Sequence, residues 1–275
     1  MSTDIKVQTT RILLSGALGR MGRAITGLVE DKNKNCPADS PAFEIVCGVD
    51  ALAGAASPAA AQVGAVFPVY KGFKDVPQNI CADVIIDFSH FSLTRSLLEF
   101  AVQRRLPLVL CTTAIQKEDI ALADKAAEVI PVFRSANMSV GIALVKKLIR
   151  ESEAFLGDDF DVEIVEKHHN RKLDAPSGTA LALADAVSEA REGGFDYVFD
   201  RSERHEKRSK RELGISAVRG GNIVGDHSVM FISDNEIIEI SHSALSRSVF
   251  ADGSLRAAAF LKGKGPGKYG MDDIV

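Results

Sequence analysis

Short apolar runs alternate with helix-period segments over the first half of the chain. Residues 11–15 read as a buried strand, followed by a glycine turn and a helix over about 21–30. Further strands are expected at 43–50, 82–88, 106–111 and 129–133, with helices over 92–104 and 117–128 between them. Continuous apolar strands separated by helices indicate a parallel sheet covered on both faces.

The pattern changes after Asn137. A long helix is expected over 140–155, a strand over 161–166, a polar loop, and an alanine-rich helix over 179–190. Strand-like runs then cluster at 215–218, 228–232 and 236–242. Few helices separate them, so an open mixed or antiparallel sheet is expected, hence a second domain of a different class. Residues 191–214 are polar and charge-rich, including Arg201, Arg204, Lys207 and Arg208. Glutamates interleave these cations and no aromatic lies among them, which favours a solvated loop or helix face over a nucleic-acid patch.

Composition narrows the class. The 275 residues are 46% hydrophobic and 25% charged, ordinary usage for a folded protein of one or two domains. A net charge of −4 gives no whole-chain attraction to nucleic acid or anionic membrane. No apolar run approaches the roughly 20 residues of a membrane span. The start, Met1-Ser2-Thr3-Asp4-Ile5-Lys6, lacks the basic residues and apolar run of a signal peptide. Cys36, Cys47, Cys81 and Cys111 are far apart with no CxxC pair, as expected of reduced cytoplasmic thiols.

Two segments carry chemistry. Gly16-Ala17-Leu18-Gly19-Arg20-Met21-Gly22 follows a strand and opens a helix. Glycines there permit a tight turn and close backbone approach to a pyrophosphate, which the helix N-terminus attracts. The spacing, GxxGxxG, is a variant of the dinucleotide fingerprint. Asp50 ends the second strand, where a carboxylate can accept hydrogen bonds from the adenosine ribose. The interval from Gly19 to Asp50 exceeds the usual gap of about 20 residues, and the polar insertion at 31–37 accounts for the excess.

The second segment is Glu163-Ile164-Val165-Glu166-Lys167-His168-His169-Asn170-Arg171-Lys172-Leu173-Asp174-Ala175-Pro176-Ser177-Gly178-Thr179-Ala180. Two histidines, a lysine and an arginine leave a strand together, and Pro176-Ser177-Gly178-Thr179 begins a helix suited to presenting amides to an anion. An imidazole, an ammonium and an anion-binding helix start suit proton transfer on a small carboxylate. A solvated basic turn is the alternative. A metal site is not expected, because no nearby spacing supplies three ligands.

That eighteen-residue string resembles the signature of the 4-hydroxy-tetrahydrodipicolinate reductase (dihydrodipicolinate reductase) family. Supporting matches are Gly16 to Gly22, Asp87-Phe88-Ser89, Thr112-Thr113, Ala136-Asn137-Met138-Ser139, and Arg219-Gly220-Gly221 through His227, in the family's order. The resemblance implies an α/β chain with a Rossmann-type dinucleotide-binding domain, residues 1–138 and 249–275. A second α+β domain with an open mixed sheet, 139–248, would bind substrate and build a homotetramer. It implies NADH- or NADPH-dependent reduction of a cyclic dicarboxylate with loss of water, in diaminopimelate and lysine biosynthesis. By the same resemblance His168 is the proton donor/acceptor and Lys172 a second proton donor, while His169, Ser177, Gly178 and Thr179 bind substrate. Gly16, Ala17, Leu18, Gly19, Arg20, Met21, Asp50, Cys111, Thr112, Thr113, Ser135, Ala136, Asn137 and Met138 would contact the cofactor.

The family's GTTG stands here as Cys111-Thr112-Thr113-Ala114, with both glycines replaced. Backbone contacts to the nicotinamide are expected to survive if those positions keep φ below zero. Asp50 suits the ribose hydroxyl of NADH, and Ala51 follows where relatives using NADPH well often carry arginine; Lys71 and Lys74 are partial substitutes. NADH is therefore the expected preference. Two rivals are a different NAD(P)-dependent oxidoreductase on the same plan and a nucleotide-sensing binding protein without turnover. His168 and Lys172 argue against the second.

Overall fold

The computed structural model describes residues 9–34, 36, 42–53 and 67–275. The N-terminal stretch read above and positions 35 and 37 of the polar insertion lie outside them. In chain order the elements are β1 (Thr10–Ser15), α1 (Arg20–Asn33), β2 (Phe43–Val49), β3 (Val69–Tyr70), β4 (Val84–Asp87), α2 (Thr94–Arg104), β5 (Leu108–Leu110), α3 (Lys117–Ala126) and β6 (Pro131–Arg134). Then come α4 (Val140–Leu156), β7 (Asp161–His168), α5 (Gly178–Ala190), β8 (Asp196–Val198), β9 (Glu212–Arg219), β10 (Gly225–Ile232) and β11 (Ile237–Ala244). The chain ends with α6 (Ser248–Leu261) and β12 (Gly267–Tyr269). Two units result, Met1–Ser139 with Ser248–Val275, and Val140–Arg247.

The first unit is a seven-stranded parallel sheet in the order β12-β6-β5-β4-β1-β2-β3. Its strands are apolar on both faces because helices cover both. Leu13, Ile85 and Leu108 pack with Leu97 and Ala101 of α2 and Ala123 of α3. Ile12, Leu14, Ile86 and Val109 point the other way, onto Ile25 of α1 and Leu255 of α6. Each fully buried aliphatic side chain contributes about 1.5–3 kcal/mol relative to exposure. Strand order reverses on either side of β1, so a crevice opens at the carboxyl ends of β1 and β4, the place where such sheets bind nucleotides.

The second unit is a five-stranded mixed sheet, β11-β10-β7-β9-β8, with β10 antiparallel to β7 and β11 and the other pairs parallel. Period-two alternation sends Val162, Ile164, Glu166 and His168 of β7 to the buried face, the first two packing with Leu183 and Val187 of α5. Register places His227 of β10 opposite Glu166, and Arg219 of β9 opposite His168. Two carboxyl-terminal positions of β7 are thus polar and buried, and each has one polar neighbour on a flanking strand.

The charge-rich segment differs from the solvated loop or helix expected for 191–214. It contains β8 and the start of β9, and its arginines lie back on the sheet. Arg201 bridges Glu163 and Glu212, Arg204 pairs with Glu206 and Glu212, and Arg208 pairs with Asp161 and Glu163. The glutamates interleaved in sequence and those on β7 and β9 neutralise it within the fold.

Candidate active site

In the second unit the polar end of β7 is organised around Glu166, whose side chain is fully buried. Oε2 accepts from His168 Nδ1 at 2.6 Å and from Arg219 at 2.7 Å. Oε1 accepts from a second Arg219 nitrogen at 2.7 Å and from the Ser177 amide at 2.9 Å. Burial raises the Glu166 carboxyl, but the hydrogen bonds from Arg219, His168 and Ser177 outweigh it and hold the group below the usual carboxylate range. Arg219 also donates to the Asp174 carbonyl at 2.6 Å, fixing the loop that carries Lys172. The Lys172 amide closes a turn on the His169 carbonyl, and its ammonium lies 2.9 Å from an Asp174 carboxylate oxygen.

Ser177 caps α5, its hydroxyl accepting from the Ala180 amide at 3.1 Å and meeting His227 Nε2 at 3.1 Å. No acidic residue lies in the first turn of α5, and Gly178 and Thr179 open it, so the dipole end is left for an anion. His169 follows the strand with a buried Nδ1 that has no hydrogen-bond partner among the described residues. Burial, the neighbouring cations Arg171 and Arg247, and the His168 imidazole push its imidazole below the ordinary value. His227 is driven lower still, to about 4, chiefly by burial and then by His168. The His168 and His227 rings meet edge-on with centroids 5.2 Å apart. The end of β7 and the loop after it thus bring an imidazole, an ammonium and an acid-free helix start close together in the chain, groups suited to proton transfer on an anionic substrate.

In the first unit every residue assigned to the cofactor lies at the carboxyl end of the sheet. Gly16 has φ +77°, and a Cβ there would lie 2.7 Å from the Phe88 carbonyl oxygen. A Cβ on Gly22 would come within 2.4 Å of the Gly16 carbonyl oxygen. Both positions therefore require glycine. Helix α1 starts with no side-chain cap at Gly19 and no acidic residue in its first turn, and Arg20 beside it is exposed. An uncapped, acid-free helix start behind a glycine turn fits a pyrophosphate. Ala17 and Leu18 are buried and shape the turn, while Met21 is half-buried against the core below it. Asp50 accepts from the Leu18 amide at 2.9 Å and from the Leu52 amide at 3.0 Å, which seats the carboxylate beside the turn.

At β5, Cys111 is buried and the Thr112 hydroxyl turns inward to Asp87 and the Ser89 carbonyl, leaving Thr113 exposed. Burial pushes the Asp87 carboxyl up, against hydrogen bonds from Ser89 and Thr112. Ala114 departs from the expectation: its φ is +58°, the left-handed region where glycine is favoured, so alanine is retained there under strain. After β6, Ser135 donates to the Asn137 carbonyl at 2.7 Å and Ala136 is exposed. Met138 is in the core, its carbonyl so close to Gly253 of α6 that a Cβ would collide at 1.7 Å.

Glu166, Arg219 and His227 went unassigned in the sequence. A glutamate flanked by Val165 and Lys167 has no marker of burial except strand alternation, and Arg219 meets it across 53 positions.

Residues 10–138 match the family model described as Dihydrodipicolinate reductase, N-terminus, and residues 141–275 match Dihydrodipicolinate reductase, C-terminus. The chain is 45% identical over 262 residues to a Clostridium tetani protein named 4-hydroxy-tetrahydrodipicolinate reductase, with 95% of each chain covered. A protein of the same name from Caldanaerobacter subterraneus subsp. tengcongensis is 43% identical over 265 residues, covering 96% of this chain and 98% of that one. Among solved structures, a dipicolinate-bound dihydrodipicolinate reductase from Paenisporosarcina sp. TG-14 superposes with a TM-score of 0.77 at 22% identity, covering 98% of this chain and 100% of that chain. A myo-inositol dehydrogenase from Corynebacterium glutamicum superposes at 0.58 with 17% identity, covering 94% and 90%. At such identities the structures show a shared fold, and that fold serves more than one reaction.

Proposed function

Since the chain belongs to the dihydrodipicolinate reductase family, we propose a division of labour among its residues for that family's reaction. The protein is an NAD(P)H-dependent oxidoreductase that converts 4-hydroxy-tetrahydrodipicolinate to tetrahydrodipicolinate with loss of water, in diaminopimelate and lysine biosynthesis. The 4-hydroxyl leaves as water with a ring hydrogen, which makes ring C4 unsaturated, and NADH or NADPH, when bound, would supply the hydride that goes to C4. The electrons move through the ring-nitrogen conjugation and leave an enamine carbon that needs a proton.

His168 holds that proton and delivers it, the role an imidazole fills in general acid–base catalysis. Lys172 is the second proton donor and faces the developing charge as an ammonium. His169, Ser177, Gly178 and Thr179 hold the substrate carboxylates. The observation that carries this reading is the partnerless buried Nδ1 of His169 among Arg171, Arg247 and His168, a polar atom placed where a dianion is attracted. Gly16, Ala17, Leu18, Gly19, Arg20 and Met21 form the pyrophosphate turn, Asp50 takes the ribose, and Cys111–Thr113 with Ser135–Met138 border the nicotinamide end.

NADH is the preferred nucleotide, because Asp50 would face the 2′-phosphate of NADPH at close range; Lys71 follows β3 directly and moderates the repulsion. A homotetramer is supported by the second sheet, whose face opposite α4 and α5 presents Val165, Val218, Met230 and Ile237 with no helix of that unit over it. Four free thiols and a nucleotide-dependent reaction support a cytoplasmic protein, and no helix among the described residues is long and apolar enough to cross a membrane. The test is a coupled assay in which substrate is generated from pyruvate and aspartate semialdehyde and NADH or NADPH oxidation is followed. Turnover by the wild type, lost in His168→Gln with nucleotide binding intact, is expected. Oxidation of neither nucleotide would overturn the reading.

A further inference from the structure

We propose that Glu166 and Gly225 are positioning residues for the His168 imidazole: Glu166 fixes which ring nitrogen carries the resting proton, and Gly225 leaves the other uncovered. The proposal rests on His168 as proton donor, assigned above.

A carboxylate is an acceptor only, with about four lone-pair sites. On Glu166 all four are taken, two at each oxygen, by His168, two Arg219 nitrogens and the Ser177 amide. The arginine and amide groups can only donate. The bond at 2.6 Å from His168 therefore runs from Nδ1–H to Oε2, and the neutral ring is held with Nε2 free of a proton. Nε2 is then the nitrogen that gains and gives the mobile proton.

Access to Nε2 is set from β10. An ideal Cβ on Gly225 would lie 3.0 Å from His168 Nε2 and 3.4 Å from its Cδ2, so any side chain there would sit against the working nitrogen. Gly225 is buried and its φ is not in the left-handed region, so backbone conformation does not call for glycine. Close approach to the imidazole does. The charged and titratable groups around the ring are Glu166 on β7, Arg219 on β9 bound to the same carboxylate, His227 on β10 and His169 on the loop. His227 is neutral at working pH and does not oppose protonation of His168. Glu166 also holds Ser177 at the start of α5, and through Arg219 the Asp174 carbonyl, so one carboxylate sets the ring, the helix start and the lysine loop together.

The first measurement is nitrogen NMR of imidazole-labelled wild-type protein, with His168 assigned by its loss in His168→Gln. The neutral ring is expected as the Nδ1–H tautomer, and an Nε2–H tautomer in the wild-type protein would overturn the proposal. The second is kinetic. Glu166→Gln is expected to lower kcat about 100-fold with the nucleotide KM unchanged, at the lower end of what general acid–base groups contribute. Because it removes the negative neighbour, the limb of the kcat–pH profile that requires protonated His168 should move to lower pH. Glu166→Asp, which keeps the charge, should restore the limb and part of kcat. Gly225→Ala should lower kcat with the limb in place. A Glu166→Gln enzyme with an unmoved limb and kcat within about two-fold, while His168→Gln is inactive, would refute positioning by Glu166. Turnover retained in His168→Gln would strike the His168 assignment itself, and this proposal with it.

Discussion

Replacing His227 by glutamine should flatten the acid side of the stability profile. The folded imidazole is 5% exposed and is driven to about 4, mainly by burial, against 6.5 in the unfolded chain. Its folded pKa is the lower one, so below pH 6.5 the unfolded chain takes up a proton that the folded chain refuses. Stability from this residue is complete above pH 6.5 and is lost as pH falls toward 4. The full gap corresponds to about 3 kcal/mol, of which about 2 kcal/mol is lost between pH 7 and pH 5. Glutamine retains an amide for the Ser177 hydroxyl and does not titrate. Urea unfolding of both proteins at pH 7 and pH 5, at one protein concentration, gives the comparison. His168, Glu166, His242 and Asp226 surround the ring in both proteins, so the difference between them isolates His227. The wild type should lose about 2 kcal/mol more than the variant over that interval. Equal losses would refute the argument, as would a His227 resonance titrating near 6.5 in the folded protein.

Lys172→Ala should keep the fold and nucleotide affinity but lower kcat about 100-fold, measured by the coupled assay with nucleotide binding by fluorescence; loss of nucleotide binding would contradict its loop placement. The kcat/KM ratio at low salt should favour NADH in the wild type and move toward NADPH in Asp50→Ala and Ala51→Arg; a ratio unmoved by either removes Asp50 from the ribose. Ala114→Gly relieves a φ of +58° and should stabilise the protein by about 0.5–1 kcal/mol, read as a rise in Tm. An unchanged or lowered Tm would show that the turn is not strained.

The long strands of the first sheet were legible because burial on two faces leaves an uninterrupted apolar run, as at Ile12-Leu13-Leu14 and Val84-Ile85-Ile86, and those of the second because their apolar positions alternate. Strands β8 and β12 were not, since three residues with glycines and polar positions close by carry no period and are held by the neighbour they pair with. The glycine turn and the His168–Thr179 segment could be read because their chemistry is contiguous. Glu166, Arg219 and His227 could not, because what joins them is register between β7, β9 and β10. Nothing at position 166 distinguishes a buried acceptor from the exposed lysine that follows it. The positive φ of Ala114 was hidden for a similar reason: the turn imposes it, and alanine does not advertise it.

The late return of the chain to its first sheet sets an order of assembly. Residues 140–247 form a continuous stretch that is complete before α6 and β12 have been synthesised. Until α6 arrives, the side of the sheet with Ile12, Leu14, Ile86 and Val109 is covered by α1 alone, and Met138 lacks the Gly253 backbone it packs against. A nascent chain spends that interval with a sticky apolar surface in the open, a target for holdase chaperones and for its own neighbours on a polysome.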